Sequence, residues 1–184
     1  PENMLVFGAD VSNAFAEAPP PKQPFFIRPD RAFNEWWVQH KQLPPIPPGH
    51  VIPILSAMQG HPESPRLWEK HADEILRDIG LTPTVHEPCL YSGIVEQHRI
   101  IFLRQVDDFA IATTSPEAAQ ALIRDINKQL RLPIHILGTV TRYNGMDIIQ
   151  SRNFVKITCT KYLTKLQEAY SWLHQDNIKR TNIL

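Results

Sequence analysis

The stretch RIIFLRQVDDFAIAT, residues 99–113, constrains the fold more than any other part of the chain: two apolar runs rich in strand-forming residues are separated by the adjacent carboxylates Asp107 and Asp108. A charge inside an apolar element is costly unless it is paired or holds a metal. The pattern therefore predicts a hairpin, with strands over 99–105 and 109–113 and the two aspartates at the turn. A plain hairpin turn is the default reading of such a pair, since Asp is a common turn residue. Two acids between apolar flanks ask for a further reason. Asp10 has the same character, because it ends the apolar run MLVFGAD.

The remaining pattern supplies both strands and helices. A strand is expected at Phe25–Ile27, and a loop or edge segment at 41–53, KQLPPIPPGHVIP, where proline removes backbone donors. Ser64 as cap, Pro65 in the first helical position and Gly80 as stop delimit a helix with the stripe Trp68, Ala72, Ile75, Leu76, Ile79. Strands follow at 89–95 and 99–105. A second helix opens at Ser115-Pro116-Glu117 and closes before Pro133, with Ala119, Leu122, Ile123, Ile126 and Leu130 on one side. Further strands are expected at 143–149 and 154–158, and a last helix from Lys161 to Leu173. Hairpins mixed with helices that can cover one face define an α+β class.

The chain has 184 residues, enough for one domain or the central part of a larger one. It starts at Pro1 directly before a strand-like run, which reads as a piece of a longer chain. Lys plus Arg equals Asp plus Glu at 19 each, so no global positive field announces nucleic acid and any basic groove is local. Cys89 and Cys159 stand far apart, and the eight histidines show no ligand spacing, which argues against a disulfide framework or a zinc site. No apolar run is long enough to span a bilayer, and no basic-then-apolar leader opens the chain. The expectation is an intracellular, cytoplasmic setting, neither secreted nor in a membrane.

If the ends of two strands lie side by side, Asp10, Asp107 and Asp108 meet. Like charges so close repel, and divalent cations relieve the repulsion. Oxygen donors without His or Cys select Mg²⁺, with Mn²⁺ as the alternative, and two such ions suit in-line displacement at phosphorus. A two-metal nuclease uses similar acids, and a remnant could fold or bind nucleic acid without catalysing anything. The LPPIPPG segment, residues 43–49, is also compatible with a polyproline ligand.

Taken in order, ADVSNAFA, SAMQGHPESPRLWEKH, EPCLYSG, RQVDDFAIA and YNGMDI resemble the successive motifs of copia-type retrotransposon reverse transcriptases, over nearly the whole chain. The resemblance implies a polymerase palm-type antiparallel sheet covered by helices on one face, in a single domain fragment of 1–184. Within it, about 1–160 would be palm with partial fingers and about 161–184 the start of the thumb. It implies RNA-directed DNA synthesis with two Mg²⁺ ions, a template and primer of RNA or DNA, and deoxyribonucleoside triphosphates. The fingers part before this chain, the thumb and a ribonuclease H would belong to the rest of a polyprotein. Carried over by position, Asp10 and Asp107 resemble the acids that hold both metals, Asp108 the accessory acid, and Val11 a metal ligand through its carbonyl. Phe15 resembles a steric gate against the ribose 2′-hydroxyl; a core aromatic is its other reading. Gln59 and Gly60 resemble the segment beside the incoming nucleotide, or else form a surface turn. Tyr143, Gly145 and Met146 resemble the primer grip, with a bulge in an ordinary strand as the other reading of Gly145. The chain departs from the family at Gln105 and Gln59, where tyrosine is usual, and in the stretch AEAPPPKQPFF after the first acid.

Overall fold

The computed structural model describes residues 3–170. The chain runs β1 (Leu5–Asp10), α1 (Ala14–Glu17), β2 (Phe26–Ile27), α2 (Arg31–Lys41), β3 (Ile52–Pro53), α3 (Ser64–Asp78), β4 (Thr82–Pro83), β5 (Leu90–Val95), β6 (His98–Gln105), β7 (Asp108–Thr113), α4 (Pro116–Asn127), β8 (His135–Thr139), β9 (Arg142–Tyr143), β10 (Met146–Gln150), β11 (Val155–Thr158) and α5 (Thr160–Ala169). Six strands form one antiparallel sheet in the order β4-β5-β6-β7-β1-β8; β11-β10-β9 form a second sheet, and β2 pairs with β3.

Alternation along the strands decides which face is buried. Phe7 and Ala9 of β1 pair with Ile111 and Phe109 of β7, and Phe102 of β6 pairs with Ile111. These side chains join Ile100 and Tyr91 in the core. Helices supply the other half of that core: Trp68, Ala72, Ile75 and Leu76 from α3, and Ala118, Ala119, Leu122 and Ile126 from α4. The helical stripes read from the sequence are thus the faces that pack on this side of the sheet. Gly8 and Asp10 alternate to the opposite side, paired with Ala110 and Asp108.

One helix terminus and one whole helix differ from expectation. The Ser64 side chain does not cap α3, whose N-cap position is Glu63. Its Oγ instead accepts from the Met58 N–H at 3.0 Å and donates to the Met58 carbonyl at 2.6 Å, closing the loop that carries Gln59 and Gly60. Ser115 does cap α4, accepting from the Ala118 N–H. Helix α2, unforeseen, is capped by Asp30, which accepts from the Phe33 N–H at 2.7 Å, and it buries none of its residues. The last helix ends at Ala169; the part expected from Ser171 onward, most of the segment 161–184, lies outside the described residues. No described helix is long and apolar enough to cross a membrane.

Candidate active site

The three acids occupy one end of the large sheet. Asp10 is the last residue of β1 and lies directly opposite Asp108, the first residue of β7. On the far side of β7, Gln105 faces Asp108, and on the far side of β1, His135 faces Asp10. Gln105, Asp108, Asp10 and His135 therefore form one row across four strands. Asp107 stands outside the row, in the two-residue turn Val106–Asp107 that joins β6 to β7. The turn is shifted by one residue from expectation: Asp108 belongs to the strand, and Val106 takes its place in the turn. All three carboxylates lie at the surface rather than inside the core.

This turn is tightly held. Val106 has φ of 53°, whereas Asp107 does not have positive φ, which is the pattern of a type II′ hairpin turn. The indole Nε1 of Trp68 donates to the Val106 carbonyl at 2.7 Å, and the Val11 N–H donates to the Asp107 carbonyl at 3.0 Å. Val11 is buried beside the site, at 1% exposure. A further tie, hidden in the sequence, is Glu17. Buried to 4% exposure, its carboxylate accepts from the backbone N–H groups of Arg131 and Leu132 at 2.7 and 3.1 Å and so anchors α1 to the loop before β8.

The acids sense one another. Partial burial, then the charges of Asp107 and Asp10, push the Asp108 carboxyl above its ordinary value of 3.8. A divalent cation suits a group of three carboxylates that repel in this way, because it relieves that repulsion and oxygen is its preferred donor. Yet no three Asp, Glu, His or Cys side chains among the described residues are gathered closely enough to hold a metal ion. The strand register brings the acids to one place without closing them around a common point.

Two cavities border the acids and their turn. One, of about 390 Å³, is lined by Phe15, Trp68, Leu103, Arg104 and Val106 among others. Phe15 is half-buried, and it packs against the core as well as lining this cavity. The other cavity, of about 250 Å³, lies between Asp108 and the segment 137–143, with Gly8 and Tyr143 in its wall. The Tyr143 hydroxyl is buried and has no hydrogen-bond partner. Burial first, then the nearby Asp108 and Cys89, push its pKa up to about 12, so it stays a neutral donor. Gln59, Gly60, Gly145 and Met146 line neither cavity. Gly60, with φ of 90°, sits in the exposed turn before α3. Asn144 and Gly145, with φ of 46° and 77°, make a two-residue turn between β9 and β10, where a bulge was the alternative expectation. Asn-Gly between strands is a strong local hairpin signal.

An antiparallel sheet backed by two helices on one face, with acids meeting at its end, is the setting that comparison with known proteins then identifies. The model of the family "Reverse transcriptase (RNA-dependent DNA polymerase)" matches residues 2–183, and the chain belongs to that family. Within it the likeness is to the copia type. The putative transposon Ty5-1 protein YCL074W of Saccharomyces cerevisiae is 27% identical over 119 residues, which are 64% of this chain and 38% of the relative. The chain thus spans well under half the length of that relative.

Proposed function

We propose that this chain is the palm core of a copia-type retrotransposon reverse transcriptase, with part of the fingers in 1–160 and the start of the thumb in 161–184. The observation that carries this reading is the register that sets Asp10 opposite Asp108 and puts Asp107 in the adjoining turn. Asp10, Asp107 and the Val11 carbonyl would hold two Mg²⁺ ions, with Asp108 beside them. When bound, such ions supply activation of the attacking oxygen and stabilisation of the leaving one. The chain's own part is to orient the acids from a rigid strand end and a pinned turn. Template, primer and deoxyribonucleoside triphosphates are the substrates in this reading, and the remaining fingers, thumb and ribonuclease H belong to the rest of the polyprotein. Gln59 and Gly60 lie toward the nucleotide, and Tyr143, Gly145 and Met146 toward the primer.

The test is primer extension on an RNA template by the complete parent chain and by its Asp107→Asn variant. Template-directed extension that falls by several orders of magnitude in the variant is expected, since the acid that holds both metals is gone. Cleavage without extension would move the chain to the nucleases. No product from either protein would make it a remnant.

Phe15 divides sugar choice from packing. If its ring bars the ribose 2′-hydroxyl, Phe15→Val in the parent enzyme raises ribonucleotide use relative to deoxyribonucleotide, and Phe15→Tyr keeps the selection. A lower melting temperature with an unchanged ratio of the two specificity constants would return Phe15 to the core alone.

A further inference from the structure

Strand β6 carries one charge where its alternation calls for apolar residues. Ile100, Phe102 and Arg104 fall on the face that packs against the helices, and the Arg104 side chain is only 5% exposed. An enclosed guanidinium is costly unless its N–H groups find acceptors and its charge finds an anion. Both are in short supply here. Nε has no hydrogen-bond partner among the described residues. Nη2 lies 3.7 Å from the Cys89 Sγ, a weak acceptor, and 4.0 Å from the Glu69 carboxylate, beyond hydrogen-bond reach. The Asp73 carboxylate, near enough to feel the Arg104 charge, is committed elsewhere: the Arg77 Nε and the Tyr91 hydroxyl each donate to it at 2.8 Å. Tyr91 itself brings no charge, since burial above all pushes its pKa up to about 12.

Arg104 lines two cavities, and charge decides between them. In the cavity beside Phe15 it is the one cation among the described residues, set against Glu69 and Glu87. The other cavity, of about 290 Å³, is walled by α3 and by β4, β5 and β6. There Arg66, Lys70, Arg77 and Arg104 stand against Glu69 and Asp73, four cations to two carboxylates. Arg66 and Lys70 are exposed and held only by surface pairs, to Glu63 at 4.0 Å and Glu74 at 3.6 Å, which are worth little, so both are free to turn toward a ligand. This cavity lies on the helix side of the sheet. Asp10 and Asp108 lie on the opposite side, so it is no part of the site built on the acids.

We propose that the cavity between α3 and the β4–β6 edge of the sheet is a phosphate-binding site, with the buried Arg104 guanidinium at its floor and Arg66, Lys70 and Arg77 closing on the anion from α3. A phosphate group offsets the excess positive charge and offers several acceptor oxygens to the planar fork of Arg104, whose Nε–H is otherwise orphaned. The same chemistry is presented by a free phosphate and by the backbone of a nucleic-acid strand. The site draws on no metal ion and on none of the three acids.

The test follows hydrogen–deuterium exchange of the complete parent chain at peptides covering 64–78 and 87–104, with inorganic phosphate as probe and chloride at equal ionic strength as control. Phosphate should slow exchange in both peptides. Arg104→Met, which keeps the length of the side chain and removes its charge, should weaken that protection at least about tenfold, the worth of a hydrogen bond to a charged group. Lys70→Gln should weaken phosphate binding and Glu69→Gln should strengthen it, each by up to about fivefold, as for one exposed charge pair. A guanidinium that serves only as an internal partner of Glu69 gives a different result, lost stability in Glu69→Gln with no gain in phosphate affinity, and that result would sink the proposal. A single-stranded oligonucleotide makes the second arm. Protection of the same peptides by the strand, lost in Arg104→Met, assigns the phosphate to nucleic acid, whereas protection by inorganic phosphate alone assigns it to a free phosphate group. Exchange that neither probe changes, or that both slow equally in the Arg104→Met protein, would overturn the site. If Arg104→Met does not fold, the two variants on the exposed side of α3 decide: opposite shifts in phosphate affinity uphold the site, and unchanged affinities remove it.

Discussion

Two hairpins of the same loop length solve the same geometric problem with opposite materials. Between β9 and β10, both central residues have positive φ, and the chain supplies Asn144 and Gly145, the pair that tolerates this best. Between β6 and β7, the residue with positive φ is Val106, among the residues that tolerate it least. The first turn is made by its own sequence. The second is made by distant donors, Trp68 and Val11, acting on a sequence that locally prefers something else. Strain of this kind persists only where the surroundings over-determine it, and such places gather at functional sites. Here it falls directly before Asp107.

Exchanging the residues of the two turns gives the largest effect. Gly145→Val puts a β-branched side chain at φ of 77°, where no neighbouring atom obstructs an added Cβ, so the cost is backbone strain alone, about 1–2 kcal/mol. Val106→Gly removes strain of the same origin. Its gain is smaller, under about 1 kcal/mol, because glycine also widens the unfolded ensemble. Chemical denaturation of the parent chain and both variants measures the two signs. A loss at both positions would show that Val106 is not strained, and the contrast between the hairpins would vanish.

The same contrast explains what the sequence made readable. Elements with local signatures were legible: the stripe of α3, the Ser115 cap and Pro116 start of α4, and the two runs around the acid pair. Asn144-Gly145 is an equally local signal, yet it lies within 143–149, a run whose composition predicts strand. Helix α2 was missed although Asp30 and the spacing of Phe33, Trp36, Trp37 and His40 announce it, because it buries nothing and so shows no core pattern. Long-range pairing was not legible from periodicity. That β1 lies between β7 and β8, which sets Asp10 between Asp108 and His135, came into view from the family resemblance for the first partner and not at all for the second. Trp68 and Glu17 were hidden for a related reason. Each works through a backbone group far away in sequence, and only the folded chain shows which.

A smaller effect concerns charge at the strained end of the sheet, and it separates strain from repulsion. Asp108 is raised by partial burial and by Asp107 and Asp10, so its charged form is disfavoured in the folded chain relative to the unfolded one. Below the ordinary value of 3.8 the carboxyl is protonated in both states and there is no penalty. As pH rises through the interval between 3.8 and the higher folded value, the unfolded chain releases its proton first, and stability is lost. Above that interval the loss is complete. Asp108→Asn, which keeps the shape and removes the charge, should therefore raise Tm by a degree or so at pH 7 without divalent cations, on the order expected for relief of a few tenths of a kcal/mol. The difference should shrink as the pH is lowered toward 4. If the acids hold Mg²⁺ as proposed, saturating Mg²⁺ should reverse the order, because the cation then favours the protein that keeps all three acids. In the Asn144–Gly145 hairpin the carboxylate, Asp147, faces Arg142 and pairs with Lys161 at 3.6 Å instead of meeting other acids, so its stability should not show this loss with rising pH. An Asp108→Asn protein less stable than its parent at pH 7 without cations would mean that the three acids are held apart well enough not to repel, and that strain at Val106 and charge at Asp108 are separate matters.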